Sequence, residues 1–144
     1  MKMLTEFGEK INTDHPLGEY PRPQFVRDSY INLNGIWHCE FTQSRDIPKS
    51  FGTRIVVPFS PETPPSGVNR VLEPSEYLHY EKVFEIPDDF NRGRVFIHFG
   101  AVDQIADVYV NGTHVGSHTG GYTPFSFVIT ERLKTGGNRL SVVV

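Results

Sequence analysis

Apolar and polar residues alternate with a period of two along most of this chain, which is the pattern of β-strands that bury one face. The clearest stretch covers residues 93–130, where Val95, Ile97 and Phe99 alternate with Phe96 and His98. The same alternation returns over residues 105–110 and again over residues 125–129. We therefore take residues 93–130 as the centre of the fold and predict further strands on either side of it.

The dipeptide Asn111-Gly112 lies between two of these alternating runs. A two-residue type I′ turn needs positive φ at both central positions, and Asn and Gly tolerate this best. The sequence thus predicts three antiparallel strands within residues 93–130, of which the last two form a tight hairpin.

Four more strands are indicated elsewhere in the chain. The first follows the Asn34-Gly35 turn, and the second covers residues 51–59, where Pro58 ends it. The other two cover residues 78–86 and 139–144. The first places Trp37, Cys39 and Phe41 on one face, which we interpret as the core. With frequent Gly and Pro between short aromatic-rich runs, the pattern favours an all-β sandwich.

Two irregular stretches stand out as candidate functional surfaces. Residues 60–77 form the longest loop, and long loops on a rigid β scaffold often carry binding, although a crossover between two sheets would look the same. Gly120-Gly121 indicates a tight bend or a close approach of the backbone to another group. Residues 130–133 are expected to form one helical turn.

Composition narrows the class of protein. The chain has 144 residues, a formal net charge of −3 and no apolar run of the length that spans a membrane, which argues against nucleic-acid and membrane partners. Its single cysteine excludes an internal disulfide and fits a reducing compartment, so we expect a cytoplasmic protein.

The organisation along the chain is expected to be simple. Pro16, Pro21 and Pro23, with few periodic apolar positions around them, predict an extended N-terminal arm, which we place at residues 1–20, followed by one β domain over residues 21–144. The last strand, RLSVVV, ends on an apolar run, from which we expect the domain to be truncated from a longer protein.

No motif for catalysis, phosphate binding or a zinc finger occurs, and neither a cofactor nor a metal is implied. His114 and His118 are four residues apart, but on a strand they are expected to point at most to the same side without a third ligand. Asn111-Gly112-Thr113 matches a glycosylation pattern that the hairpin explains better. None of the candidate pairs of carboxylates is marked as the acid and its partner that glycoside cleavage requires. These candidates are Glu73 with Glu76, Asp88 with Asp89, and Asp103 with Asp107.

Read together, several motifs resemble the N-terminal sugar-binding domain of family 2 glycoside hydrolases, the group of β-galactosidases, β-glucuronidases and β-mannosidases. LNGIW fits the family's L-x-G-x-W, VPFSPE fits V-P-x, and HYEKVFEIP is similar to W-Y-x-R-x-F-x-x-P. The stretch from RVFIHFGAV to GGYTPF, and then NRLSVVV, follows the family's order and spacing. The resemblance covers roughly residues 20–144.

The resemblance implies a galactose-binding-domain-like jelly roll followed by an immunoglobulin-like domain and a TIM barrel. In the family, the two glutamates of a retaining β-glycosidase lie on the barrel, after Val144, so this segment itself is predicted to be non-catalytic. It would shape the rim of the active site for a β-linked carbohydrate and take part in contacts between domains and in a homo-oligomer of the parent protein.

The resemblance also points to residues that contact sugar. Asn69 lies where the β-galactosidase loop offers an asparagine, and His118 and Tyr122 belong to the glucuronidase-like H-x-G-G-Y-T-P-F version of the glycine bend. Glu73, on the long loop, can accept hydrogen bonds from sugar hydroxyls. The sequence departs from the family pattern at His79, where the family has tryptophan.

Two other functions remain open from the residues. A stand-alone carbohydrate-binding module without catalysis would use the loop over residues 60–77 and exposed aromatics such as Tyr77 and Tyr122. A purely structural or interaction domain would bind no sugar but would contact other domains.

Overall fold

The computed structural model describes residues 5–144, and strands dominate it. The strands are β1 (Gly35–Thr42), β2 (Thr53–Val57), β3 (Tyr77–Glu85), β4 (Phe96–Phe99), β5 (Ile105–Val110), β6 (Thr113–Thr119), β7 (Phe125–Val128) and β8 (Gly137–Val143). One short helix, α1 (Glu6–Glu9), precedes them, and 3-10 turns cover Pro23–Phe25, Pro64–Ser66 and Thr130–Arg132. Within the described residues, no helix is long and apolar enough to cross a membrane.

The strands form two antiparallel sheets. Six of them pair in the order β2-β1-β3-β8-β5-β6, and β4 pairs with β7. The predicted all-β antiparallel sandwich is confirmed, and so is the helical turn after β7. The three strands predicted within residues 93–130 do not all lie in one sheet, because Phe96 to Phe99 pair with Phe125 to Val128 and the chain changes sheets between β4 and β5.

The β5–β6 hairpin turns as predicted. Asn111 and Gly112 have φ angles of 52° and 81°, the left-handed values that a type I′ turn requires at both central positions. The Asn111 side chain also fixes the turn to β8, since its amide nitrogen donates to Asn138 Oδ1 at 2.8 Å and its oxygen accepts from Arg139 N at 3.0 Å.

The core lies between the two sheets. Trp37 and Cys39 are buried in it, as their alternation on β1 predicts, and the Trp37 indole donates to the Leu33 carbonyl at 2.7 Å. β3 buries Leu78 and Phe84 and also His79 on its other side, and it exposes Val83. The remaining core is mostly aliphatic: Ile55, Val95, Ile97, Ala106, Val108, Val110, Ile129, Leu140 and Val142.

The N-terminal segment lies against the start of β1. Pro16 is buried, and the side-chain amides of Asn32 and Asn34 donate to the carbonyls of Leu17 and Pro16 at 2.9 and 3.2 Å. A β-carbon on Gly35 would lie 2.9 Å from the Asp14 carbonyl, so the arm can approach this closely only because the residue is glycine. The arm boundary at residue 20 stays a prediction, and residues 1–4 of the arm lie outside the described residues.

The strand register brings several loops to one end of the sandwich, which we call the Tyr122 end. Thr42 pairs with Tyr77, and Ile105 pairs with Thr119. The loops over residues 43–52, 100–104 and 120–124, and the last part of the long loop before β3, therefore meet at this end. The β3–β4 connection lies at the opposite end.

Candidate functional site

Tyr122 is the most exposed large hydrophobic residue of the described chain, with 94% of its surface accessible. It lies on the turn between β6 and β7. Gly120 adopts φ 130°, a region that suits glycine, and its amide donates to the Gln104 carbonyl at 2.8 Å. The backbone of the turn is thus tied to the β4–β5 loop while the phenol ring extends into solvent.

His118 braces the same turn from the side. Its Nε2 lies 3.0 Å from Thr123 Oγ1, and its ring stacks on Phe125 with a centroid distance of 4.2 Å. Phe125 in turn stacks on Phe99 at 4.8 Å. The imidazole is half-buried and positions the turn, so a ligand can reach only the part of its ring that faces away from Phe125.

Gly121 makes the close approach that the glycine pair predicts. A β-carbon at this position would overlap the carboxylate of Asp103, so a larger residue would displace that side chain. Asp103 itself is exposed, and its carboxylate lies beside the backbone that carries Tyr122. Sequence reasoning named Asp103 only as an unpaired carboxylate; the signal that could have located it is the glycine that leaves room for it.

The long loop before β3 is ordered by its own hydrogen bonds. The buried Ser66 hydroxyl lies 2.7 Å from the Thr63 carbonyl and 3.2 Å from the Pro61 carbonyl, and it accepts from Val68 N at 3.1 Å. Arg70 N also donates to the Pro61 carbonyl at 3.0 Å. The loop is therefore a compact surface element with a fixed shape, as functional loops on β scaffolds often are.

Asn69 and Glu73 are exposed on this loop. Asn69 has φ 55°, and the next residue, Arg70, places its guanidinium 4.0 Å from the centroid of the Phe41 ring and pairs with Glu76. The other Glu76 oxygen accepts from the Glu73 amide at 3.1 Å. Arg70 and Glu76 thus hold the loop against the sandwich and leave the Glu73 carboxylate directed at solvent.

The structure groups the four predicted contact residues into two sets. His118 and Tyr122 share one turn, whereas Asn69 and Glu73 belong to the loop that leads into β3. Because β8 and β5 lie between β3 and β6 in the sheet, the two strands next to these loops are roughly 14 Å apart. A single sugar ring would touch one set, and only a longer or differently placed ligand would touch both.

A bulge in β6 separates His114 from His118. Tyr109 pairs with His114, but Val108 pairs with Gly116, so Val115 is an extra residue in the strand. The bulge puts His114 on the outer face of the large sheet and His118 on the face toward the core, so the expectation that they share a side is wrong. Within residues 5–144, no group of three or more His, Cys, Asp or Glu is arranged to hold a metal ion.

Asp107, His114 and Ser117 cluster on the outer face of the large sheet without the geometry of a nucleophilic site. His114 Nε2 is 3.1 Å from Ser117 Oγ and 3.6 Å from Asp107 Oδ1, so one ring nitrogen faces both groups. A serine–histidine–aspartate triad needs the two ring nitrogens to face different partners. The cluster is therefore a structural network.

The known proteins that this chain resembles include β-glucuronidases and β-galactosidases. The model of the family described as "Glycosyl hydrolases family 2, sugar binding domain" matches residues 30–144. A β-glucuronidase of Paenibacillus borealis is 38% identical over 133 residues, which is 87% of this chain and 22% of that protein. A β-galactosidase of Thermoanaerobacter pseudethanolicus is 51% identical over 57 residues, which is 40% of this chain and 8% of that protein.

The chain also resembles the solved structure of a β-glucuronidase. The β-glucuronidase of Bifidobacterium dentium, complexed with coumarin-3-O-glucuronide, superposes with a TM-score of 0.63 at 30% identity, covering 78% of this chain and 19% of that one. The chain thus spans about a fifth or less of the length of these relatives, for example 22% and 8% of the two curated ones.

Proposed function

Because this chain belongs to glycosyl hydrolase family 2 and matches the sugar-binding domain of that family, we propose that it is the N-terminal accessory domain of a β-glycosidase that hydrolyses O-glycosyl bonds. In this proposal its partners are a downstream immunoglobulin-like domain and a TIM barrel, and the barrel carries the two glutamates of a retaining reaction. The 144 residues described above then supply no catalytic residue. Their part is to shape the rim of the active site and to contact a β-linked carbohydrate.

The observation that carries this proposal is the Tyr122 turn. A phenol ring that is 94% exposed on a turn tied down by His118, Thr123 and Gln104 is a preorganised contact. Such a ring offers a flat apolar face for the C–H groups of a sugar and a hydroxyl at its tip, at little cost in side-chain entropy. A ring that packs only within this domain would instead be at least partly buried, as Phe125 is.

We assign sugar contacts to four residues. Tyr122 packs on the ring of the sugar, and His118 offers the free part of its imidazole beside it. Glu73 accepts hydrogen bonds from hydroxyls, and the exposed Asn69 side chain can both donate and accept. Since the two loops are attached to strands that are not neighbours in the sheet, Asn69 and Glu73 contact a different part of the carbohydrate from Tyr122.

The test begins with the reading frame beyond the codon for Val144. If it continues for several hundred residues into a β/α pattern, the longer protein is expressed and assayed with aryl β-galactosides, β-glucuronides and β-mannosides. We expect Tyr122→Ala to raise KM by about three- to tenfold, because it removes contact area from substrate binding. Phe25→Ala, which removes another exposed aromatic, is the matched control and leaves KM unchanged.

The competing function is a stand-alone carbohydrate-binding module. The exposure of Tyr122 in this chain by itself favours it, since no other part of a longer protein is needed to present the ring. It predicts that the 144-residue chain binds mono- or oligosaccharides, with heat detectable by titration calorimetry. A stop codon within a few residues of Val144, together with such binding, would replace the accessory-domain proposal by this one.

Location and assembly complete the proposal. Cys39 is a free buried thiol, and thiol usage of this kind is typical of a reducing compartment, so we assign the parent protein to the cytoplasm. We also propose that it is a homo-oligomer, in line with the predicted role of this domain in contacts between subunits. Cell fractionation and light scattering of the longer protein test the two assignments.

A further inference from the structure

Asp103 presents an exposed carboxylate beside the backbone of the turn that carries Tyr122. The carboxylate occupies the space that a β-carbon on Gly121 would need. The ion pairs of residues 5–144 use the carboxylates of Glu6, Glu76, Glu81 and Asp107, and Asp103 takes part in none of them. Its negative charge is thus available to a ligand.

The two loops that meet at this carboxylate carry no lysine or arginine of their own. We call residues 101–104 and 118–124 the Tyr122 rim; their sequences, AVDQ and HTGGYTP, contain neither lysine nor arginine. The one basic group, His118, already has Thr123 Oγ1 at 3.0 Å from its Nε2. Proteins bind carboxylates mainly through Arg and Lys, so the rim lacks the residues that would recognise an acidic sugar.

We propose that Asp103 is a specificity-determining residue of the Tyr122 rim, which favours neutral sugars over uronic acids. The carboxylate accepts hydrogen bonds from sugar hydroxyls and repels a ligand carboxylate. This inference rests on the proposed sugar contact of Tyr122 and names the class of sugar that the contact accepts. The repulsion distinguishes the two classes of sugar, whereas the hydrogen bonds hold either of them.

The size of the effect follows from the exposure of the two charges. Two like charges about 6 Å apart in water repel by about 0.7 kcal/mol, which corresponds to a preference of about threefold. Salt screens charges on an exposed surface, so the preference shrinks as the ionic strength rises. The hydrogen bonds that Asp103 accepts from hydroxyls are present with both sugars and do not alter the ratio.

The experiment is an NMR titration of the 15N-labelled chain with methyl β-D-galactopyranoside and with sodium methyl β-D-glucuronide, at low and at high salt. Asp103→Asn keeps the shape that fits against Gly121 and removes the charge. Asp88→Asn is the matched control, because Asp88 is also exposed but lies in the β3–β4 connection at the opposite end of the sandwich. Unchanged amide spectra away from the substitution show that each variant is folded.

We expect the neutral sugar to shift amides of the Tyr122 rim and to bind about threefold more tightly than the glucuronide at low salt. The ratio should approach one in Asp103→Asn and at high salt, and should persist in Asp88→Asn. Binding at the rim with a ratio that Asp103→Asn leaves unchanged overturns this inference alone. Binding of neither sugar, or binding away from the rim, overturns the proposed sugar contact of Tyr122 and this inference with it.

Discussion

The guanidinium of Arg45 pairs with the buried carboxylate of Asp107, and Arg45 Nε lies 2.8 Å from Asp107 Oδ2. The two residues are 62 positions apart in the sequence. Arg45 follows β1 and Asp107 lies on β5, so the pair fastens the β1–β2 loop across β3 and β8 on the outer face of the large sheet. Burial alone would raise the pKa of Asp107, but the hydrogen bonds from Ser117 and Arg45 outweigh it and hold the pKa below its usual value.

Replacing Asp107 should therefore lower stability in a pH-dependent way. In Asp107→Asn we expect a loss of about 1–2 kcal/mol in the free energy of unfolding near pH 7, because charge-assisted hydrogen bonds are removed. A carboxyl group with a lowered pKa stabilises the fold above its unfolded pKa, and this stabilisation is lost as the pH falls through the lower folded value. Urea unfolding between pH 3 and pH 7 should show the gap between wild type and Asp107→Asn narrowing below about pH 4. A gap of constant size across that range would contradict the assignment, and Asp88→Asn should show no gap.

His79 is buried under the same loop. Its Nε2 lies 2.9 Å from Thr42 Oγ1 and 3.0 Å from the Ser44 carbonyl, while its Nδ1 has no hydrogen-bond partner in the described part of the chain. Burial lowers the pKa of this imidazole, although the Ser44 carbonyl and the charges of Asp46 and Glu40 act in the opposite direction. The outer face at this point therefore holds a neutral histidine.

Acidification should thus destabilise the chain through His79. A histidine with a lowered pKa contributes stability that is fully present above its unfolded pKa, about 6.5, and that is lost as the pH falls through the folded value. Urea unfolding at pH 7.5 and pH 5 should show this loss in wild type. His79→Gln should show less of it, and His38→Gln, which alters an exposed histidine on the same face, should lose as much as wild type. An equal loss in wild type and His79→Gln would rule out His79 as its source.

Gly116 should tolerate no side chain. A β-carbon on this residue would overlap the ring of Phe127, which packs against β6 from the second sheet. We expect Gly116→Ala to lower the free energy of unfolding by about 1–3 kcal/mol, the usual cost of overpacking. Gly100→Ala, at a position with open space, is the control for the general effect of alanine. Adding Phe127→Leu to Gly116→Ala should recover part of the loss; no recovery would mean that the overlap is not its cause.

Cys39 should be unreactive in the folded chain. Burial, together with the nearby charge of Glu40, raises the pKa of the thiol to about 11, so very little thiolate exists at neutral pH. Ellman's reagent should react with one thiol per chain in urea and with almost none in native buffer at pH 8. Rapid reaction in native buffer would show that the core around Cys39 opens readily.

Local patterns were sufficient wherever one short segment determines its own geometry. Asn111-Gly112 predicted the hairpin, because no other dipeptide fits two positive φ angles as easily. The alternation on β1 predicted that Trp37 and Cys39 are buried. The position of β4 could not be predicted in this way, since Val95, Ile97 and Phe99 have the same period whichever sheet they join.

The same distinction between local pattern and tertiary packing applies to the candidate functional residues. The sequence by itself determined the all-β class and the family, and it drew attention to Tyr122 and the glycine pair, because these depend on the order of residues along the chain. Only the tertiary structure decided that a bulge turns His114 and His118 to opposite faces, and that Asp103 lies against Gly121. Both depend on which strands and loops become neighbours, and packing between distant segments sets those neighbours, which no local period of the sequence encodes.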